Sequence, residues 1–294
     1  MDYSNTGSGT TFNQFTGKNA YVNSTREFLD SNSLVAQVAF LLLVLVVFII
    51  LLRLGISLIG YFLAPTGTPK LIYGMVDAKQ LIVIPQDPSS EGSVTIFRSD
   101  NATEGIEFTW SVWVFIDDLT YKSGRYRCIF YKGNDFAKNS AANSQGLNFP
   151  NNAPGLYIAP NTNDLVIMMN TFNVINEEIT VSDIPLNNWV NVIIRCQSNI
   201  LDVYVNGTII KSHHLHGVPK QNYGDIYVAP NGGFSGYISN LWYYNYALGT
   251  SEIARLTANG PNTNMKGSNA LAMKNPDYLS LRWFFYGAGD EFNP

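Results

Sequence analysis

The longest uniform pattern in the chain is an apolar run close to its N-terminus. Residues 34–52 read LVAQVAFLLLVLVVFIILL, with no charged side chain and with Gln37 as the one polar position. As a helix this run spans about 28 Å, close to the ~30 Å hydrocarbon core of a bilayer. The pattern predicts a single-pass membrane anchor over residues 34–63. The residues expected to meet lipid or headgroups are Leu34, Phe40, Phe48, Arg53 and Tyr61.

Two alternatives for this run fit less well. A buried core helix rarely carries so long an uncharged stretch, and the apolar region of a signal peptide is shorter and follows a basic segment. Here a polar arm, residues 1–33, precedes the run and contains Phe12 and Phe15, which we expect to contact a partner protein. Both flanks carry similar numbers of basic residues, so the orientation in the membrane stays open.

Beyond a turn-rich linker at 65–69, the pattern changes to short apolar runs separated by turn-forming residues. Spacing of this kind, roughly 8–12 residues, is typical of an antiparallel sandwich or barrel. The runs lie at 71–76, 80–85, 93–97, 108–116, 127–132, 155–159, 164–169, 177–181, 189–196, 201–205, 208–213, 225–229, 236–245 and 278–286.

Local signals sharpen three of these elements. Within 108–116, the even-numbered residues from Phe108 to Ile116 are apolar and are predicted to share one face of a strand. Asn206-Gly207 separates two runs and predicts a tight hairpin. Residues 251–258 predict the one convincing helix of this region, with Ser251 as its N-cap.

Three segments carry motifs more specific than alternation. The first is FTWSVWVFI at 108–116, and the second is NNWVNVIIRCQSNILDVYVNGTII at 187–210, where a tryptophan opens a strand before the Asn-Gly hairpin. The third is GFSGYISNLWYYNYALGTSEIARL at 233–256, an aromatic strand followed by Ala-Leu and a short helix. Together they resemble the laminin-G-like domains of the concanavalin A-like lectin/glucanase superfamily.

The resemblance implies an all-β fold: a two-sheet antiparallel jelly-roll sandwich of the concanavalin A type, preceded by a single transmembrane helix. We expect this sandwich over residues 70–260, and an aromatic tail or closing strand over residues 261–294.

Composition narrows the function. Charged residues make up 14% of the chain and the net charge is −4, with no basic patch, so nucleic-acid binding is not expected. A hydrophobic content of 46% excludes a disordered chain, and two cysteines exclude a disulfide scaffold. Cys128 and Cys196 both lie in apolar runs and are expected to be reduced core residues, with a disulfide between them as the alternative.

Catalysis is not expected either. Glycan hydrolases of the superfamily need two carboxylates facing one cleft, and on one strand these would be two or four residues apart. No two acidic residues of the chain are two residues apart. The alternative is a pair of carboxylates that converge from different strands. We therefore expect a non-enzymatic protein without a cofactor.

Metal ligands are present, but the sequence does not assemble them into a site. His214 and His216, near His213, are predicted to share a face and suit Zn²⁺ or Cu²⁺, yet no third ligand is evident. The alternative is an exposed strand end. Oxygen ligands for Ca²⁺ are equally typical of turns. They are Asp117, Asp118, Asn134, Asp135 and Asp164.

The preferred hypothesis is a structural protein that docks onto other proteins at a membrane. Its expected partners are lipid and the subunits of a protein shell, because this organisation resembles minor capsid proteins of large icosahedral DNA viruses with an internal membrane. The implied location is a membrane, within a virion. The tail is expected to contribute Trp283, Phe284, Phe285 and Tyr286 to the contact.

The second hypothesis is a carbohydrate-binding lectin or adhesion module displayed on a membrane. Lectins of this fold stack sugars on aromatic rings and bind hydroxyl groups through amides and carboxylates. The candidates are Tyr131, Asn134, Tyr157 and Tyr223.

Overall fold

The computed structural model describes residues 34–63, 66–99, 103, 105–135 and 145–265, and the chain divides after residue 64 into two units. In the first unit, helix α1 (Leu34–Leu63) has 30 residues and spans about 45 Å. Nearly all of its apolar side chains are exposed, and it is long and apolar enough to cross a membrane. The predicted contacts of Phe12, Phe15 and Trp283–Tyr286, and the run at 278–286, lie outside the described residues.

The second unit is a sandwich of two six-stranded sheets, and every pairing within them is antiparallel. Sheet I has the order β1-β12-β3-β8-β9-β10, and sheet II has the order β2-β11-β4-β5-β6-β7. The strands are β1 (Met75–Asp77), β2 (Ile82–Ile84), β3 (Glu107–Asp118), β4 (Arg127–Gly133), β5 (Gly155–Ile158), β6 (Leu165–Met169), β7 (Glu177–Val181), β8 (Trp189–Gln197), β9 (Ile200–Val205), β10 (Thr208–His214), β11 (Asp225–Val228) and β12 (Ser235–Tyr244). The predicted two-sheet sandwich is confirmed.

One hydrophobic core lies between the two sheets. The even-numbered residues of β3, from Phe108 to Ile116, all belong to it, which confirms the predicted face. Trp110 belongs to this core, with its ring 5.2 Å from that of Phe130 in sheet II and 4.9 Å from that of Tyr243 in sheet I. Aromatic contact across the interior therefore joins the two sheets.

Helix α2 (Thr250–Asn259) covers the outer face of sheet I, where Ile253 and Leu256 pack with Tyr204. The N-cap is Gly249 and not the predicted Ser251, because the helix begins one residue before that serine. The Glu252 carboxylate accepts a hydrogen bond from the Gly249 backbone amide at 3.0 Å, which is the half of a capping box that does not need a side chain at the cap.

Two predictions of local structure, a hairpin and a strand, have different outcomes. Asn206-Gly207 joins β9 to β10 with both residues at positive φ, as a tight hairpin requires. Residues 93–97, predicted as a strand, form no strand. The Gln86 side chain engages this segment instead, because its Nε2 donates to the Val94 carbonyl at 2.8 Å and its Oε1 accepts from the Ile96 amide at 3.0 Å.

Candidate functional site

A cavity of about 650 Å³ lies between the sheets, beside the irregular segment 86–98. Its apolar lining comes largely from the core aromatics Phe108, Trp110 and Tyr243 of sheet I. Segment 86–98 is tied to the sandwich at both ends. The backbone amide of Gln86 donates to the Asp225 carboxylate at 2.8 Å, and the Tyr243 hydroxyl donates to the Phe97 carbonyl at 2.6 Å. The cavity is therefore lined by residues of both sheets and by segment 86–98, which belongs to neither sheet.

Lys132, at the end of β4, is the buried cation of the cavity. Its Nζ donates to the carbonyl oxygens of Asn222 and Gly224 at 2.9 and 2.6 Å. Burial lowers the pKa of Lys132 to about 8, and the nearby carboxylate of Asp225 opposes only part of that shift. The carbonyl groups of the 222–224 loop therefore fix the position of the Lys132 ammonium group.

Arg98 and Tyr223 also line the cavity. The guanidinium lies 5.3 Å from the centre of the Tyr223 ring, and its Nη1 donates to the hydroxyl at 2.7 Å. Tyr223 is nevertheless 79% exposed. The pair therefore presents an accessible aromatic ring whose orientation a cation holds in place.

Among the residues that the structure describes, two carboxylates line the cavity, and both accept hydrogen bonds from neighbouring groups. Asp87 accepts hydrogen bonds from the amide and hydroxyl of Ser89 at 2.9 and 2.7 Å, and these bonds lower its pKa. Asp225 accepts from the Gln86 amide. A general acid for glycoside hydrolysis needs a raised pKa, and Asp87 has the opposite shift.

Three of the four predicted sugar-binding residues lie together, away from the cavity: the Tyr131 hydroxyl donates to the Asn134 carbonyl at 3.2 Å, and Tyr157 belongs to the same apolar cluster as Tyr131. Tyr223 lines the cavity, whereas Tyr131 and Tyr157 are 0% exposed. They lie in an apolar cluster separate from the main core, and Tyr131 stacks on Tyr227 at 5.0 Å. Asn134 bonds to the loop that follows, where its Oδ1 accepts from the Asn151 amide at 3.3 Å. Rings without exposed faces are poorly placed to stack a sugar.

The histidine segment differs from the prediction. β10 ends at His214, so the strand alternation that paired His214 with His216 does not reach the second residue. His213 and His216 instead converge on Glu177, while the ring of His214 lies beside Asn199. Glu177 supplies the third ligand atom that the sequence did not reveal, because it lies 36 residues from His213 along the chain.

Two of the oxygen ligands considered for calcium, Asp118 and Asp164, hold local turns. Asp118 accepts from the amide and hydroxyl of Thr120 at 2.8 and 2.7 Å, and Asp164 accepts from the Thr162 hydroxyl at 2.7 Å. Both free cysteines are buried, as predicted, and burial raises the pKa of the Cys196 thiol to about 12. These thiols are inert core groups.

Sequence reasoning missed most of the cavity. Lys132 ends an apolar run, and Arg98 and Asn222 lie in segments without a motif. The one sequence feature that pointed to this region is the series of aromatic residues in β3 and β12. These residues predicted a core, and three of them also line the cavity.

Comparison with known proteins gives one family. The family model described as the concanavalin A-like lectin/glucanases superfamily matches residues 88–254. The structure of the botulinum neurotoxin DC binding domain in complex with rat synaptotagmin II aligns at 16% identity with a TM-score of 0.40, covering 54% of this chain and 37% of that one. The binding domain of botulinum neurotoxin serotype G aligns at 13% identity with a TM-score of 0.43, covering 63% and 46%. The chain thus spans less than half of either structure. No curated protein sequence matches.

Proposed function

This chain belongs to the concanavalin A-like lectin/glucanases superfamily, and from that premise we propose that it is a non-catalytic, membrane-anchored module that binds a carbohydrate in the inter-sheet cavity. The observation that carries the proposal is the cavity itself. It combines an accessible aromatic ring, Tyr223, with a buried ammonium, Lys132, and with the amides of Gln221 and Asn222.

This combination suits a sugar. A pyranose ring has an apolar face that packs on an aromatic ring, and hydroxyl groups that accept from an ammonium and exchange hydrogen bonds with amides. The volume of about 650 Å³ is within the ~300–1,000 Å³ usual for small-ligand sites. Tyr223 would stack the sugar at the mouth, and Lys132 would bind its hydroxyl groups inside.

The absence of catalysis is part of the proposal. The two acidic residues of the cavity already accept hydrogen bonds from Ser89 and Gln86, and the lowered pKa of Asp87 keeps it ionised. An ionised Asp87 cannot donate a proton to a leaving group, which is the task of the general acid in glycoside hydrolysis.

Membrane attachment is assigned to α1. Its 30 residues exceed the roughly 20 that cross a bilayer, and its apolar side chains are exposed along its length. Free in water, so large an apolar surface would drive aggregation. We therefore place the protein at a membrane as a single-pass protein.

The test is a glycan array probed with the full chain in detergent. We expect retention of a restricted set of glycans, with binding at least tenfold weaker in Tyr223→Ala and Arg98→Ala. Phe172→Ala is the matched control, because Phe172 is also exposed beneath a cation, Lys220 at 5.2 Å, but does not line the cavity. An empty array with folded protein, or equal weakening by the control, would overturn the proposal.

A second candidate function is a structural link between a membrane and a protein shell, as in viral minor capsid proteins. An exposed apolar loop patch favours it, formed by Phe172, Val174, Ile175 and Val218. The Phe172 amide bonds to the Val218 carbonyl at 3.0 Å, so the two halves of the patch are joined. Patches of this kind mark contacts between proteins.

Cross-linking mass spectrometry on native membranes separates the two functions. A structural link predicts abundant cross-links from Lys220, beside the patch, to one shell protein, and loss of co-purification in Phe172→Glu/Ile175→Glu. Tyr223→Ala should leave co-purification unchanged. Sparse links to many proteins would argue against a shell partner.

A further inference from the structure

Glu177, His213 and His216 form a cluster where the free edges of the two sheets face each other. Glu177 begins β7, the edge strand of sheet II, and His213 lies near the end of β10, the edge strand of sheet I. His216 follows two residues after β10. One potential ligand atom from each side chain lies within 4.8 Å of the other two.

The carboxylate is the centre of this cluster. Glu177 Oε1 lies 2.8 Å from His213 Nε2 and 2.7 Å from His216 Nδ1. The His216 amide donates to both carboxylate oxygens at 3.1 Å. The Glu177 side chain is 5% exposed, and its neighbours hold it in one orientation.

The turn that carries His216 is also held from outside the cluster. Asn173 Nδ2 donates to the His216 carbonyl at 2.7 Å, and the amide of buried Leu215 donates to the Asn199 carbonyl at 2.8 Å. The backbone at each of the three residues is therefore positioned before any ligand arrives. The His216 side chain is 70% exposed, which leaves one side of the cluster open to solvent.

We propose that Glu177, His213 and His216 bind a zinc ion that links the two sheets at their open edge. Two imidazole nitrogens and one carboxylate oxygen form a ligand set that Zn²⁺ takes with a fourth, open position. Ligands about 2.0–2.1 Å from a tetrahedral zinc lie roughly 3.3–3.4 Å apart. The present N···O distances of 2.7 and 2.8 Å need to open only slightly, and the largely exposed His216 ring has solvent on one side into which it can shift.

The ion would occupy a position that hydrogen bonds now fill. To bind zinc, His213 Nε2 and His216 Nδ1 would each give up the proton that they now donate to Oε1, with each neutral ring then carrying its proton on the other nitrogen. The freed nitrogen lone pairs and Oε1 would then coordinate the ion. Water would complete the coordination on the open side. Because the ligands come from both sheets, zinc binding would stabilise the folded sandwich.

The experiment is calorimetric titration of the metal-free full chain in detergent with zinc chloride alone, together with thermal unfolding with and without zinc. We expect one zinc per chain and a raised Tm. His216→Ala and Glu177→Gln should weaken binding by more than about 100-fold, beyond the 10–100-fold that outer-shell changes cost. Mg²⁺ should neither bind nor raise the Tm.

His214→Ala is the matched control. It removes a histidine from the same strand whose ring lies beside Asn199 and not beside Glu177, so zinc affinity should not change. His216 is largely exposed, so its variant should fold, and the Tm in chelator verifies this. Equal loss in His214→Ala, or no stoichiometric zinc in the wild type, would show that the three side chains form only a hydrogen-bonded clasp.

Discussion

Gly236 marks a point where two strands of sheet I approach too closely for a side chain. It has φ +142°, and a Cβ there would lie 1.9 Å from the Phe115 carbonyl oxygen. Gly92 also has positive φ, at +71°, but a Cβ there meets nothing within 4 Å. Both glycines adopt a backbone conformation that side chains rarely tolerate, but only at Gly236 would an added Cβ also clash with a neighbouring strand. Comparing the two positions therefore distinguishes the cost of the backbone conformation from the cost of the clash.

Gly236→Ala should lower the free energy of unfolding by more than about 3 kcal/mol, because strand β3 must move. Gly92→Ala should cost only about 1 kcal/mol, the penalty of left-handed backbone with a Cβ. Urea unfolding measures both, and equal losses would contradict the collision.

Lys132 predicts a pH dependence of stability. Its pKa is lowered to about 8 by burial, while an unfolded lysine titrates at about 10.4. Between these values the unfolded chain holds more protons, so stability rises with pH, and the cost of burying the charge is fully present below pH 8. Relative to Lys132→Met, the wild type should gain about 2–3 kcal/mol from pH 7.5 to 10.

Urea unfolding at several pH values measures this difference directly. Subtracting the variant's curve removes the other groups that titrate in the same range. Parallel curves for the two proteins would place the Lys132 pKa near its ordinary value.

Helix α1 is the element whose behaviour depends least on the rest of the molecule. Each arginine at the centre of a membrane helix costs about 2.5–3.5 kcal/mol of insertion free energy. The triple variant Leu43→Arg/Val46→Arg/Ile50→Arg should therefore leave the membrane fraction after alkaline carbonate extraction. The triple alanine variant at the same positions is the control and should remain, whereas retention of the arginine variant would contradict the anchor.

For strand β4, the hydrophobic pattern of the sequence does not show that both faces of the strand are covered. All seven of its residues are buried, because the core covers one face and a second apolar cluster covers the other. The sequence therefore predicts an accessible ring at Tyr131, since nothing in RCIFYK distinguishes a covered outer face from an open one.

The sandwich as a whole depends on one core shared by both sheets. Trp110 is buried within this core and contacts Phe130 and Tyr243. Trp110→Ala should lower the free energy of unfolding by about 3–5 kcal/mol. Tyr223→Ala, at an exposed aromatic of the same unit, should change it by less than about 0.5 kcal/mol.

Near-ultraviolet and far-ultraviolet circular dichroism should report one coincident transition for the sandwich, because neither sheet buries its inner face alone. Separate transitions would mean that the sheets unfold independently.

The elements that sequence alone predicted are those whose cause is local. An uncharged run long enough to cross a bilayer makes α1, strict alternation selects the inner face of β3, and Asn206-Gly207 closes the hairpin. The segment 93–97 has the same alternation but is held by Gln86, so a competing side-chain contact overrode the pattern.

The candidate sites had to wait for the tertiary structure. The cavity depends on the tertiary structure bringing Lys132, Arg98 and Tyr223 together with core aromatics, and the proposed zinc site depends on two edge strands from different sheets facing each other. Periodicity reports which way a side chain points within its own strand. Periodicity carries no information on which strand ends lie close together across a sandwich. Both candidate sites are formed by such contacts between segments that are distant in sequence.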